Sequence, residues 1–313
     1  MNYIKPKKLK RGELIGIISP ASAPNDENLV ESGVKYIESF GYKTTLGKNV
    51  GKIRGYLAGT DEERVEDIHQ MFGDNKVKAI FCLRGGYGAS RMLDKINYKL
   101  IRKNPKIFVG FSEITSLQMA FLKKSNLISF AGPMLVSNFS SEINCFTETN
   151  FWKAITSTSR PGRIQIIENQ QFSKIDIKET TGRLVGGNLS VFSSLIGSGF
   201  LPELKYKILF LEEIDEPPYK IDRMLNQLKL NKIFKQLNGI ILGSFSDCVE
   251  KDKNKKTLAL EEVWNDYFET IKVPVIHSFP HGHIKDILTF PFGIKVKMNV
   301  KKGFVEIVES GVR

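Results

Sequence analysis

The chain has 313 residues, of which 41% are hydrophobic and 26% charged, with Gly and Pro scattered rather than concentrated. That composition excludes a disordered chain, and the length exceeds what one core usually serves, so two lobes with a cleft between them are expected. The net charge of +12 favours acidic ligands, but much of the excess lies in two short runs, residues 5–11 and 251–256, rather than along a helix face with interleaved aromatics, which argues against a nucleic-acid partner.

In chain order, the first segment imitates a secretion signal, because Lys7, Lys8, Lys10 and Arg11 precede an apolar run and Ala21-Ser22-Ala23 has the form of a cleavage site. The run 14–18 is too short for that purpose and Glu13 stands between it and the basic residues, so residues 14–19 read as a buried strand and a cytoplasmic location is expected. No stretch approaches the roughly 20 apolar residues of a membrane span. A helix over about 26–40 follows, with Gly41 as its C-terminal cap. Thr60-Asp-Glu-Glu63 is a capping-box pattern and starts a second helix running to about Phe72. Strands at 79–83 and 107–110 and a helix at 113–124 complete an alternation typical of a parallel sheet with crossover helices.

Between 138 and 180 the pattern loosens, with many Ser, Thr, Asn and Gln residues and a single strand candidate at 164–167, and the domain junction is placed there. The expected division is an N-terminal domain over 1–137, a linker region over 138–180 and a C-terminal domain over 181–313. The second half resumes with a helix at 189–196, a strand at 208–211 and a helix at 220–229, where Ile221, Met224, Leu225 and Leu228 share one face. A strand at 239–242, a helix at 258–270 and a terminal hairpin of 294–300 with 304–308 follow. The three cysteines, Cys82, Cys145 and Cys248, are dispersed and odd in number, which fits a reducing compartment and neither a disulfide framework nor a zinc knuckle.

Chemistry concentrates in a few segments. In Ile107-Phe-Val-Gly-Phe-Ser-Glu-Ile-Thr115 a strand runs into a helix whose first turn holds Ser112, a junction that projects a side chain at the sheet edge and leaves backbone N–H groups free. A helix-capping serine is an equally good local reading, and the G-x-S-x-G elbow is not met because Ile114 occupies its final position. Arg84-Gly-Gly-Tyr-Gly88 follows a strand, where glycine N–H groups can approach a ligand as a phosphate cradle or an oxyanion hole, or simply turn the chain. The dinucleotide fingerprint fails at Arg91, and no Walker sequence occurs. His277, His281 and His283 could gather a metal, supply a general base, or lie idle at the surface. Glu212, Glu213 and Asp215 end a strand, where a carboxylate could orient an imidazole; Glu213 is expected to be a solvated loop residue.

Taken in order, Gly12-Glu-Leu-Ile-Gly-Ile-Ile-Ser-Pro20, Arg84-Gly-Gly-Tyr-Gly88, Gly110-Phe-Ser-Glu-Ile-Thr115, Gly186-Gly-Asn188, Phe210-Leu-Glu212, Tyr219-Lys-Ile-Asp-Arg-Met-Leu225, Gly282-His283 and Thr289-Phe-Pro-Phe-Gly293 resemble the LD-carboxypeptidases of peptidoglycan recycling, the muramoyltetrapeptide carboxypeptidase family of serine peptidases. The resemblance spans nearly the whole chain. It implies an α/β protein with an N-terminal flavodoxin-like or Rossmann-like parallel-sheet domain and a C-terminal β-rich α/β domain, and a Ser-His-Glu triad.

Position by position, the resemblance implies Ser112 as nucleophile, His283 as general base and Glu212 as its orienter. The N–H of Glu113 and one from Gly85 or Gly86 would form the oxyanion hole. The family's usual Phe before the Gly-His pair is His281 here, which would alter the pocket wall or its pH response. The implied activity, with no cofactor and no metal, removes the terminal D-Ala from muropeptide tetrapeptides in a homodimer; Arg84, Arg183 and Arg223 are available for the terminal carboxylate. The alternatives are a self-immunity hydrolase of acyl-sulfamoyl adenylates or peptide-nucleotide antibiotics, a non-catalytic nucleotide-binding module and a His-cluster metallohydrolase.

Overall fold

The protein is described here by a computed structural model over residues 3–166 and 179–313. Its first half contains β1 (Leu14–Ile18), α1 (Glu27–Ser39), β2 (Lys43–Leu46), α2 (Asp61–Gly73), β3 (Val77–Cys82), α3 (Tyr98–Lys103), β4 (Ile107–Gly110), α4 (Thr115–Ala120), β5 (Phe130–Ala131), α5 (Cys145–Thr156) and β6 (Gly162–Gln165). The second half contains β7 (Thr180–Asn188), α6 (Leu189–Ser194), β8 (Lys207–Ile214), α7 (Pro218–Leu230), β9 (Gly239–Ser246), α8 (Leu260–Phe268), β10 (Val275–Ile276), β11 (Phe290–Pro291), β12 (Lys295–Asn299) and β13 (Phe304–Ile307).

The first sheet has the order β11-β5-β4-β3-β1-β2, in which every neighbouring pair is parallel except β11 with β5. Read from its other edge, the parallel part runs 2-1-3-4-5, the flavodoxin-like order, whose ligand crevice lies at the carboxyl ends of β1 and β3 where the winding reverses. The residues of β4 are buried on both faces, as expected of a strand covered by helices on both sides. The second sheet has the order β10-β9-β8-β7-β12-β13-β6, parallel from β10 to β7 and antiparallel from β7 to β6. One apolar core joins the two sheets, with Ile114 and Leu117 of the first half packed in the same cluster as Leu184, Phe210 and Phe290 of the second.

Local chemistry accounts for the helix starts. Asp26 accepts from the Asn28 N–H at the head of α1, and Gly41 takes φ +83° just beyond its end. At α2 both bonds of the capping box form, Glu63 N–H to Thr60 Oγ1 at 3.2 Å and Thr60 N–H to the Glu63 carboxylate at 2.8 Å. The terminal hairpin pairs β12 with β13 as expected.

Some elements differ from the expectation. The helix expected at 113–124 begins as a tight 3₁₀ turn over Ser112–Ile114, continues as α4 and ends in a wide turn over Phe121–Ser125. Helix α5 occupies part of the stretch read as loose, β6 spans 162–165 rather than 164–167, and Ile167 lies outside the described residues. The segment 290–291 leaves the second half of the chain to extend the first sheet as β11. The thiols of Cys82, Cys145 and Cys248 are free.

Candidate active site

The carboxyl ends of β1, β3 and β4 supply one side of the site. At the end of β4, Ser112 sits at φ +60°, a left-handed conformation that disfavours a residue with a Cβ by about 1–2 kcal/mol and that points to a functional constraint. It is half-buried, and the turn it opens has Phe111 as its cap with no side-chain capping bond, so Ser112 does not spend its hydroxyl on closing the helix. The departure from the G-x-S-x-G elbow has a packing reason. A Cβ on Gly110 would lie 2.9 Å from the side chain of Ile114, so the strand's glycine is needed and the branched residue fills the space beside it. Gln118 fastens the junction from below, its amide donating to the carbonyls of Gly110 at 2.9 Å and Phe130 at 2.8 Å.

The glycine loop after β3 lies against this serine. A Cβ placed on Gly85 would be 3.1 Å from both Cβ and Oγ of Ser112 and 3.6 Å from the Glu113 nitrogen, so a side chain there would press on the serine. Gly86 and Gly88 both adopt positive φ, at +109° and +107°. The N–H groups of a first helical turn have no acceptor within the helix.

The second sheet supplies the other side. Glu212, 1% exposed at the end of β8, accepts from Nδ1 of His283 at 2.9 Å. With Nδ1–H directed at a carboxylate, the ring presents its basic Nε2 away from it. Gly282 makes the approach possible, since at φ +139° its Cβ position lies 3.0 Å from Ser244 Cβ and 3.3 Å from Glu212 Oε2. Ser246 donates to the His283 carbonyl at 2.9 Å and pins the histidine loop to β9. The aromatic ring of Phe111, directly before Ser112, packs on the His283 ring with centroids 5.0 Å apart, which brings the serine junction and the Glu-His pair to one place. Among the described residues no hydrogen bond joins the Ser112 hydroxyl to His283. A groove of about 420 Å³ runs outward from Phe111 and His283 between residues 137–144 and 284–287.

The two halves are registered by polar contacts. Thr115, one turn beyond Ser112, accepts from the Asn188 N–H at 3.0 Å, and Gly187, at φ +137°, leaves room for that hydroxyl. Asn188 lies opposite Glu212 in the β7–β8 ladder and donates through Nδ2 to Glu213 at 2.6 Å. The expectation of a solvated Glu213 is therefore wrong. It is 2% exposed and also accepts from the Ser190 N–H and hydroxyl, each at 2.7 Å, and from the Ile214 N–H at 2.9 Å. Burial pushes its carboxyl up, against the opposing pull of these donors. Asp215 is exposed and paired with Lys251.

The three clustered histidines go to separate partners. His277 bonds Ser278 at 2.8 Å, and His281 bonds the Leu288 carbonyl at 2.8 Å from a position 1% exposed. Burial brings the His281 ring down to about 4, so it is neutral and belongs to the core behind the site rather than to a pocket wall. Among the described residues no group of three or more His, Cys, Asp or Glu side chains converges as a metal site.

Of the arginines, Arg183 is held by the Gly293 carbonyl and Glu309, and Arg223 lies over the Tyr219 ring. Arg84 flanks Gly85 and donates to the Ala23 carbonyl and Asn25, each at 3.2 Å. Roles that sequence reasoning missed are those of Thr115, Gln118 and the Glu113 side chain, for which no sequence signal exists, and of Asn188, for which the Gly-Gly-Asn motif is one.

Residues 15–132 match the LD-carboxypeptidase N-terminal domain and residues 181–298 the LD-carboxypeptidase C-terminal domain. The chain is 37% identical to a probable murein peptide carboxypeptidase of Bacillus subtilis, over all of this chain and 96% of that one. The crystal structure of a muramoyltetrapeptide carboxypeptidase from Oxalobacter formigenes superposes with a TM-score of 0.83 at 29% identity, covering 94% of this chain and 97% of the other. The microcin C7 self-immunity protein MccF, in its complex with aspartyl sulfamoyl adenosine, superposes with a TM-score of 0.88 at 26% identity over 99% of this chain and all of that one, and MccF of Escherichia coli is 28% identical over 96% of this chain and 94% of its own. No helix among the described residues is long and apolar enough to cross a membrane. With both domain matches in chain order and one relative aligned along the whole of this chain, the chain belongs to the LD-carboxypeptidase family of peptidases.

Proposed function

We propose that the protein is a serine LD-carboxypeptidase that releases the terminal D-Ala from muropeptide tetrapeptides, with Ser112 as nucleophile, His283 as general base and Glu212 as its orienter. The observation that carries this reading is the meeting of a left-handed serine with a buried Glu212–His283 pair through the Phe111 ring. His283 Nε2 takes the hydroxyl proton as Ser112 Oγ adds to the scissile carbonyl, and the oxyanion is met by N–H groups of Glu113 and of Gly85 or Gly86. The tetrahedral intermediate then expels the D-Ala amine, which receives that proton from His283, and leaves an acyl-serine; water activated by the same imidazole hydrolyses the ester and restores the hydroxyl. Catalytic hydrogen bonds commonly close only in the substrate complex, which accounts for a Ser112 hydroxyl and His283 imidazole that are unbonded here. Arg84, which follows β3 directly before Gly85, takes the terminal carboxylate in this reading. The domain division at 138–180, a cytoplasmic location suited to three free thiols, and a homodimer complete the reading.

The deciding experiment is incubation with L-Ala-γ-D-Glu-L-Lys-D-Ala and with its diaminopimelate counterpart, followed by mass spectrometry. The wild type releases D-Ala from at least one of them with or without EDTA, and Ser112→Ala releases none. The likeness to MccF supports a second reading, hydrolysis of acyl-sulfamoyl adenylates. Turnover of aspartyl sulfamoyl adenosine with neither tetrapeptide cleaved would select it, whereas a binding module would turn over no substrate and keep its ligand when Ser112 is replaced.

A further inference from the structure

Residue 113 does two things at once. Its backbone nitrogen lies beside Ser112, within 3.6 Å of the position a Gly85 Cβ would take. Its side chain turns the other way, 6% exposed, and one carboxylate oxygen accepts the N–H groups of Gly88 at 2.9 Å and Ala89 at 2.7 Å, with the Ser90 N–H at 3.5 Å. Burial pushes this carboxyl up, while those N–H groups and the Arg64 guanidinium hold it down.

The same loop is gripped from its far side. Arg64, whose side chain is 1% exposed, donates through one nitrogen to the carbonyls of Gly88 and Pro20, each at 2.9 Å, and is held by Asp61 at 2.5 Å. Asp61 is fixed in turn by Arg91, with contacts of 3.0 Å to each carboxylate oxygen. Gly88 is thus clamped at its N–H by Glu113 and at its carbonyl by Arg64, three residues after the glycine that touches the serine.

We propose that Glu113 is a positioning residue of the oxyanion hole, its carboxylate tethering the 85–89 loop so that the glycine N–H keeps a fixed distance from the N–H of Glu113 itself. The inference rests on the serine mechanism proposed above. Buried charged hydrogen bonds are shorter and about twice as strong as neutral ones, so a carboxylate restrains a glycine-rich loop that has little stiffness of its own. A glutamine keeps the reach and one acceptor oxygen but turns an NH₂ group into the surroundings of the Arg64 cation; an alanine leaves two buried N–H groups without an acceptor.

The test compares wild type, Glu113→Gln and Glu113→Ala in steady-state kinetics on the tetrapeptide and in amide hydrogen exchange of the full chain read by mass spectrometry. The expected outcome is a kcat lower by about tenfold for Gln and about 10²-fold for Ala, the value of one oxyanion donor, with KM within about threefold of wild type. Exchange in the 85–89 segment rises by at least a similar order, while β3 and β8 exchange as in wild type. A merely structural role would lower the melting temperature and slow neither step selectively. The proposal is overturned by a Gln variant whose kcat stays within about twofold of wild type, by a KM that rises while kcat holds, or by unchanged exchange in the loop. If Ala does not fold, Gln decides alone. If wild type cleaves neither tetrapeptide, the carboxypeptidase reading fails, and the tether still stands or falls on the exchange data.

Discussion

Replacing His281 by Phe should change how stability depends on pH. The ring is 1% exposed and packs against Phe290, Phe210 and Phe111 with centroids 4.8, 5.5 and 5.7 Å away, and its one hydrogen bond goes to the Leu288 carbonyl. Burial lowers it from the ordinary 6.5 to about 4, so the folded protein holds it neutral while the unfolded chain protonates it as pH falls through 6.5. The unfolded state therefore binds more protons between those values, and wild-type stability falls as pH falls, levelling off below about 4. At 1.36 kcal/mol per pKa unit the loss is about 2 kcal/mol at pH 5 and about 3 at its limit. Phenylalanine fills the same aromatic setting and has no proton to take up. Its cost, loss of the bond to Leu288, is about 1 kcal/mol and does not depend on pH. Urea unfolding of both proteins at pH 7.5 and pH 5 measures the difference, with every other titrating group cancelling in the comparison. The stability difference should shift toward the Phe variant by about 2 kcal/mol on going to pH 5. Parallel pH curves would show that the ring is protonated in the fold and refute the reasoning.

Two further substitutions probe the site from opposite sides. Gly85→Ala places a methyl group 3.1 Å from Ser112 Cβ and Oγ, and since Gly85 does not need a positive φ, the backbone tolerates it. Turnover on the tetrapeptide should fall at least about tenfold while the melting point moves little, because a small misplacement at a reacting centre is felt in rate before stability; unchanged kcat would mean that the loop yields freely. Glu213→Ala strips the acceptor from Asn188 Nδ2, the Ser190 N–H and hydroxyl and the Ile214 N–H. Unfolding stability should drop by about 3 kcal/mol, read from the urea midpoint, and a loss below about 1 kcal/mol would show that water replaces the carboxylate.

Much of the fold was legible wherever local chemistry and burial agree. Helices α1 and α2 carry their own caps, and α7 shows its buried face as Ile221, Leu225 and Leu228 at helical spacing. Helix α5 was hidden because Thr and Asn are weak helix formers; its formation rests on the Asn144 cap and on burying Phe151, Trp152 and Ile155, and tertiary contact overrides propensity there. The two-residue strands β5 and β11 exist only through each other and β4, across a separation no local pattern records. Strand β2 has half-exposed and exposed residues at the sheet edge, so it lacks the apolar run that marks its neighbours.

The site divides along the same line. A strand running into a helix at Ser112 is a local fact, but the left-handed serine is imposed by packing, with Ile114 on Gly110 and Gly85 against the hydroxyl. Adjacent carboxylates at a strand end read alike, yet successive residues of a strand point to opposite faces. Glu212 turns to His283, 71 positions away, and Glu213 turns to Asn188, 25 positions away. Two histidines separated by one glycine read alike as well, until Gly282 at φ +139° sends one ring into the aromatic core and leaves the other beside a carboxylate. In each pair the residue types are the same and only the partners differ. Since the cost of burying an ionisable group is set by the donors that meet it, the sequence could nominate the chemistry of this site, while the choice between neighbouring candidates belonged to the distant segments that supply those donors.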